Sequence, residues 1–189
     1  MKTILFIDGR NFLDKVKPIQ NNIDFSKYDF GGLINKVLSG LKVDRKIFYL
    51  GRLSEHPKTI KKSKELVERQ RLLKTNLENQ GFEVIITGRV RGHMEKCLKG
   101  HETLTFKEKG VDVKIAVDMI VMACDGKLKT AIIGSSDSDL QPVIRELRER
   151  KIERIYLGFE NDPNKGLTYT TNRTILIRNS EVLEFIDKK

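Results

Sequence analysis

The sequence predicts an α/β fold with three layers, in which helices flank a mostly parallel central sheet. Short β-branched, apolar segments alternate with helical segments along the chain. The intervals between these segments are long enough for the crossover helices that parallel neighbours need. In such sheets, ligands bind at the carboxyl ends of the strands. The predicted strands are Lys2–Ile7, Lys46–Leu50, Phe82–Thr87, Thr130–Gly134, Arg154–Gly158 and Thr174–Ile177.

Helices are predicted between most of these strands, with Gly81 ending the second of them. Their approximate spans are 30–41, 57–80, 111–124 and 139–150. The stretch 89–109 breaks the alternation, and we expect Thr103–Lys107 to pair back on Ile85–Arg89 as a hairpin with a long loop. Residues 161–171 are polar and indicate a loop or irregular helix before the last strand and a final helical turn.

The length of 189 residues, or 21.8 kDa, suits one domain with a core that needs neither disulfides nor a structural metal. We find no internal repeat and no low-complexity linker. We therefore expect a single domain over 1–189. Its functional motifs lie in about 1–160, and the C-terminal strand and helix of 161–189 complete the fold.

The composition excludes several classes of protein. No run approaches the roughly 18 apolar residues of a membrane span. The apolar segment at the N-terminus is too short for a signal peptide, so we expect the protein in the cytoplasm. Cys97 and Cys124 are interpreted as reduced thiols, which excludes a disulfide scaffold.

The net charge of +10 and the pI of about 9.6 favour a polyanionic partner. Basic residues concentrate in two stretches. The first holds positions 58, 61, 62, 64, 69, 71 and 74, and the second holds Arg145, Arg148, Arg150 and Arg154. Both could follow a nucleic-acid backbone, and both could equally be solvated helix surface.

Carboxylates occur at three places that this architecture brings together. Asp8 follows the first strand, where the Asp8-Gly9 pair predicts a turn. Asp112 and Asp118 lie in an apolar helix, and Asp137 and Asp139 follow Gly134. Close carboxylates raise one another's pKa, so such a cluster persists at neutral pH mainly around a hard cation. Mg²⁺ or Mn²⁺ is the cofactor that the pattern predicts. The candidate ligands are Asp8, Asp118, Asp137 and Asp139.

The two helical acids have alternative interpretations. The helix around Asp118 is apolar nearly all round, so we expect it to be buried, and a lone buried carboxylate must be paired or bound to metal. A salt bridge or a capping contact is the alternative. Asp112 lies about 120° around the helix from Asp118, and it reaches the same site only from the first turn. There it could equally act as an ordinary helix cap.

The segment 135–139 (SSDSD) resembles a strand-to-helix turn that presents oxygens to metal and phosphate. One capping residue would suffice for the helix, and the segment holds more polar groups than capping requires. Asn11 is placed to orient a water or a phosphate, although Asx side chains at turns often bond their own backbone. The candidate substrate contacts are Asn11, Ser135, Ser136, Ser138 and Lys109.

Three segments together resemble the LabA-like NYN domains, relatives of the PIN-domain ribonucleases. They are residues 6–11 (FIDGRN), 109–118 (KGVDVKIAVD) and 133–140 (IGSSDSDL). The resemblance implies a PIN-like fold and metal-dependent cleavage of RNA. It assigns the acidic motif positions to Asp8, Asp112, Asp118, Asp137 and Asp139, and the polar one to Asn11. Ser136 replaces the glycine usual in the third motif, which keeps the carboxylates and is expected to tighten the turn.

The chemistry of such a site needs no side-chain nucleophile. A metal-bound water would attack the phosphorus in line, leaving a 5′-phosphate and a 3′-hydroxyl. The expected function is therefore a metal-dependent endoribonuclease acting on RNA, with DNA and a homodimeric state left open. The alternatives are a nucleic-acid-binding module without turnover and a phosphatase or nucleotide-binding domain. The loop with His93, Cys97 and His101 leaves a zinc site open, although its spacing is not typical of one.

Overall fold

The computed structural model describes residues 1–54, 60–96 and 102–186. Within these residues, six strands form a parallel sheet in the order β3-β2-β1-β6-β7-β8, which confirms the predicted α/β class. Two further strands form an antiparallel hairpin beside it. The strands are β1 (Lys2–Asp8), β2 (Arg45–Gly51), β3 (Glu83–Thr87), β4 (Arg89–Lys96), β5 (Glu102–Lys109), β6 (Leu128–Gly134), β7 (Glu153–Phe159) and β8 (Arg173–Ile177).

Helices cover both faces of the sheet, as crossover connections between parallel strands require. They are α1 (Gly9–Val16), α2 (Phe30–Val37), α3 (Ile60–Asn79), α4 (Val111–Cys124), α5 (Gln141–Glu149), α6 (Lys165–Thr170) and α7 (Asn179–Glu184). A 3₁₀ turn, Ser138–Leu140, precedes α5, so the predicted helix from 139 begins two residues later as an α-helix. None of the described helices has the length and apolar content to cross a bilayer.

The core consists of two apolar clusters separated by the sheet. Because side chains alternate along a strand, Leu5 and Ile7 of β1 join one cluster, while Ile4 and Phe6 join the other. The first cluster packs α1, α2 and α3 against the sheet, and the second packs α4, α5 and α6. β1 and β6 are therefore buried on both faces towards their carboxyl ends, and packing from both sides holds these ends in place.

Helix α1 follows β1 directly, where the sequence predicts only a turn. The Asp8 carboxylate caps it by accepting the Asn11 N–H at 3.1 Å. Gly9 lies against β2, and a Cβ there would stand 2.5 Å from the Tyr49 carbonyl oxygen. The prediction missed α1 because the Asp-Gly pair is typical of turns.

The hairpin also differs from the prediction. β5 pairs with β4 and not with β3, with Arg89 opposite Lys109 and Lys96 opposite Glu102. Gly88 turns the chain out of the sheet with φ of 61°, and β3 stays paired with β2. The hairpin therefore stands over the carboxyl end of the sheet and forms a wall there.

Helix α4 has the predicted bounds but is not buried all round. Ile115 and Met119 are buried against the sheet, whereas Val113, Val117 and Val121 are 59%, 49% and 50% exposed. α4 belongs to an outer layer, so only the side chains that face the sheet and α5 are covered. An apolar sequence alone does not reveal which face of a helix lies outermost.

Candidate active site

A cleft of about 650 Å³ opens at the carboxyl end of the sheet. Its walls come from the end of β1, the start of α1, the end of β5, the first turn of α4 and the turn after β6. This is the place where ligands bind in parallel sheets of this class. The polar and charged residues that line it are Asp8, Arg10, Asn11, Asp14, Lys107, Glu108, Lys109, Asp112, Asp137 and Asp139.

Asp8 lines the cleft from the end of β1 and is only 7% exposed. Burial raises the pKa of its carboxyl, and the nearby charges of Asp137 and Asp112 raise it further. Its hydrogen bond from Asn11 N–H opposes this rise. A buried carboxylate held among two others is electrostatically strained at neutral pH, which is the condition that a divalent cation relieves.

Glu108 is a member of this cluster that sequence reasoning missed. Burial raises the pKa of its carboxyl, and the charges of Asp8 and Asp112 add to the effect, although Arg10 lowers it. One of its oxygens accepts the Gly51 N–H at 3.1 Å. The predicted strand Thr103–Lys107 stopped one residue before Glu108, and the sequence did not show which face of this strand would turn towards the cleft.

Asp112 lies in the first turn of α4, half-buried, and faces the cleft. This is the placement that the sequence required for it to approach the other acids. The cap residue of α4 is Gly110, which has φ of 89° and makes no side-chain capping bond. Asp112 therefore contributes its charge to the cleft from the end of a helix where negative charge is favourable.

The turn after β6 places two more acids in the cleft. Asp137 caps the 3₁₀ turn by accepting the Asp139 N–H at 2.9 Å, and its own N–H donates to Ser135 Oγ at 3.1 Å. Asp137 is half-buried and Asp139 is exposed. Asp137 therefore both caps the 3₁₀ turn and lines the cleft.

The serines of this turn lie outside the cleft wall, unlike Asn11 and Lys109. The Ser136 N–H donates to Asn11 Oδ1 at 2.9 Å, which ties the end of β6 to α1. Ser136 Oγ lies 3.0 Å from the Tyr156 hydroxyl. Ser135 is buried and Ser138 is exposed. Ser135 and Ser136 therefore shape the turn, and Asn11 positions it from the other side.

Asp118 lies apart from the cleft, which corrects its expected place among the carboxylates. Six residues separate it from Asp112, or about 9 Å along the helix axis. Its carboxylate accepts the Tyr49 hydroxyl at 3.0 Å and the Lys114 ammonium at 2.5 Å. The Asp118 side chain is 13% exposed. It is thus the paired, mostly buried carboxylate that the sequence offered as the alternative to a metal ligand.

The remaining acids form a donor set that suits a hydrated hard cation. Within residues 1–54, 60–96 and 102–186, no three His, Cys, Asp or Glu side chains converge closely enough to form a ready-made metal centre. Mg²⁺ typically keeps several waters and takes only one or two carboxylates directly. Oxygen donors around the strained Asp8 carboxyl match that chemistry, and the charges of Asp137 and Asp112 act on it.

Positive charge borders the cleft at Arg10 and Lys109. Along α3, by contrast, most of the described cations are paired on their own helix. Arg69 bonds Glu65, and Arg71 bonds Glu68. Of the second basic stretch, Arg154 is buried within β7 at 7% exposure, so it is not helix surface. Position 58 of the first stretch, and Cys97 and His101 of the possible zinc loop, lie outside the described residues.

Comparison with known proteins agrees with this architecture. The structure is similar to the crystal structure of a protein of unknown function from Vibrio parahaemolyticus, with a TM-score of 0.62, 18% sequence identity and 93% coverage of each chain. No match is found among curated proteins. The model of the NYN domain family matches residues 2–178, a span that includes all of the strands and every acid of the cleft. The chain therefore belongs to the NYN domain family, within the PIN-like nuclease superfamily.

Proposed function

We propose that the protein is a metal-dependent ribonuclease of the LabA-like kind, which cleaves phosphodiester bonds at the acidic cleft. The observation that carries the proposal is the Asp8 carboxyl. It is buried at the end of β1 and its pKa is raised by burial and by the charges of Asp137 and Asp112. A buried carboxylate with other carboxylates beside it is costly for the fold and is useful when it binds a divalent cation.

Five acids divide the work in this proposal. Asp8 and Asp137 would hold Mg²⁺ or Mn²⁺ directly, and the other acids of the cleft, Asp112, Asp139 and Glu108, would bind its water ligands. When bound, the ion supplies an activated water and neutralises charge on the phosphate. Asn11 holds the Asp137 turn against α1 through its bond with Ser136 N–H at 2.9 Å.

The charge distribution supports a nucleic acid as substrate. An acidic cleft repels a polyanion, whereas the whole chain carries a net charge of +10. Arg10 and Lys109 stand at the cleft and would contact the phosphates on either side of the scissile one. Asp118 has a structural role in this scheme, since it holds α4 to β2 through Tyr49.

The test is incubation of end-labelled RNA with Mg²⁺ or Mn²⁺. We compare the wild type with Asp8→Asn and Asp137→Asn, and use Asp125→Asn, an exposed acid at the far end of α4, as the matched control. Cleavage by the wild type and Asp125→Asn, leaving 5′-phosphate ends, together with loss of cleavage in Asp8→Asn and Asp137→Asn, would support the proposal. Equal cleavage by all four proteins would indicate a contaminant. RNA binding without cleavage by any of them would indicate a binding module.

A further inference from the structure

A second groove, of about 710 Å³, lies beside the acidic cleft and shares Arg10, Asp14 and Glu108 with it. It is bounded by the segment after α1, by α3, by the end of β2 and by the hairpin. Its volume falls in the range of about 300–1,000 Å³ typical of small-molecule sites. Its apolar wall includes Phe25, Leu53, Leu66, Leu73, Val90 and Phe106.

Phe106 links the two cavities. It lies two residues before Glu108 on β5, and side chains at that spacing share one face of a strand, roughly 7 Å apart. Glu108 belongs to the acidic cluster, while Phe106 lines the groove. The Phe106 carbonyl oxygen accepts a bond from Arg10 Nη1 at 3.0 Å, which fixes this strand beside the cleft. A molecule bound in the groove would therefore lie next to the acidic cluster.

The charged residues that line the groove are largely balanced. Asp14 is paired with Lys17 at 2.7 Å and with Arg10 at 3.6 Å. Asp24 accepts both the N–H and the hydroxyl of Ser26, and its other oxygen lies 3.8 Å from Lys27. Among the residues that the structure describes, the lining thus holds three cations (Arg10, Lys17 and Arg69) and three acids (Asp14, Asp24 and Glu108), and apolar residues outnumber both.

A further cation, Lys62 of α3, is not among the residues that line the groove but lies over the ring of its aromatic wall. Lys62 Nζ lies 6.0 Å from the centre of the Phe106 ring. An occupant that stacks on this ring and carries a negative charge would satisfy both groups. A nucleobase joined to its phosphate has this combination, and because every base has a π-face the recognition would tolerate different sequences.

We propose that this groove binds the base of an unpaired nucleotide next to the phosphate held at the acidic cleft, so that the protein acts on single-stranded RNA. The placement of the phosphate rests on the proposed function. In a duplex the base is paired and stacked, and it cannot enter the groove without being extruded. Phe106 supplies the stacking surface, and Arg10 and Lys62 flank the phosphates of that nucleotide.

The inference is tested by binding, with Asp8→Asn as the background that leaves the probe intact. The probes are a fluorescent single-stranded RNA oligonucleotide, the same sugar-phosphate backbone made of abasic residues, and an RNA duplex. Phe106→Ala is expected to weaken binding of the single strand about tenfold, as loss of one base–aromatic stack does. Binding of the abasic strand and of the duplex should stay unchanged.

Three further variants distinguish the loss of base stacking from a loss of folding as the cause of weaker binding. Phe106→Leu keeps an apolar side chain of similar volume without a flat ring and should weaken binding nearly as much as alanine. Phe106→Tyr should restore it. Tyr169→Ala removes an aromatic that is 87% exposed on α6, outside the groove wall, and should bind like the background protein.

The outcomes keep the two proposals distinguishable. The inference fails if Phe106→Ala and Phe106→Leu bind the single strand as tightly as the background does. It also fails if these variants lose as much affinity for the abasic strand as for the single strand, because the groove then does not bind a base. That result would leave cleavage by the wild type untouched. If the wild type cleaves no RNA but the loss with Phe106→Leu is confined to strands with bases, the ribonuclease proposal fails and the groove remains a base-binding site. A protein that binds no oligonucleotide at all overturns the inference.

Discussion

Replacement of Asp118 by alanine separates structural from catalytic acids in this chain. The Asp118 carboxylate accepts the Tyr49 hydroxyl at 3.0 Å, and Tyr49 is fully buried. A hydrogen bond to a charged group contributes about 1.5–3 kcal/mol. The ion pair with Lys114, whose side chain is 40% exposed, is screened by solvent and adds about 0.2–1 kcal/mol. We therefore expect Asp118→Ala to lower the free energy of unfolding by about 3 kcal/mol.

The measurement is urea unfolding, together with RNA cleavage at a temperature where the variant stays folded. In a domain of this size each kcal/mol shifts the Tm by about 2–4 °C, so the expected loss is about 6–12 °C. Cleavage by Asp118→Ala should stay within about threefold of the wild type. Asp8→Asn should show the opposite pattern. It keeps its capping bond to Asn11 through the amide oxygen, and it should lose at least about 100-fold in cleavage.

Tyr49→Phe is the matched control, since it removes the hydroxyl and leaves the carboxylate. It should cost about 1.5–3 kcal/mol, and the double variant should be little less stable than Asp118→Ala alone, giving a coupling energy of about 1–3 kcal/mol. The reasoning is refuted if folded Asp118→Ala loses cleavage as Asp8→Asn does, because Asp118 would then belong to the metal site. Additive effects of the two changes would refute the hydrogen bond.

Three other predictions concern the cleft and its support. The raised pKa values of Asp8 and Glu108 mean that the folded state binds more protons than the unfolded chain. Their contribution to the stability of the metal-free protein is therefore full below the ordinary values of 3.8 and 4.5 and is lost as the pH rises through the raised ones. Asp8→Asn should accordingly have a higher Tm than the wild type in EDTA at pH 7.5, with a smaller difference at pH 5; a lower Tm at pH 7.5 would contradict this. Mg²⁺ at about 100 times its Kd should stabilise the wild type by about 2.7 kcal/mol in thermal unfolding, and Asp8→Asn should not respond. Gly9→Ala would place a Cβ 2.5 Å from the Tyr49 carbonyl oxygen, and it should cost about 1–3 kcal/mol in urea unfolding; full stability would show that α1 is free to shift.

The order of strands and helices was largely readable from the sequence because it follows local patterns. Short apolar runs gave β1, β2 and β6 within one or two residues, and the apolar run of α4 gave both of its ends. The sequence analysis missed helix α1 and predicted the wrong partner strand for β5. An Asp-Gly pair suits a turn and a capped helix alike, and strand pairing depends on residues distant in the chain.

For the candidate site, the sequence determined which carboxylates follow strand ends, and the rules for parallel sheets were enough to predict that Asp8 and Asp137 meet. Only the tertiary structure decided the membership of the cluster. A helix periodicity gives relative angles but not the face that the fold turns inward, so Asp112 enters the cleft while Asp118 bonds Tyr49. Glu108 belongs to the acidic cluster because the hairpin folds over Gly51, which is a contact between residues 57 positions apart. Local sequence patterns therefore show which carboxylates are present near strand and helix ends. The packing of distant segments decides which of them are buried and close enough to shift one another's pKa.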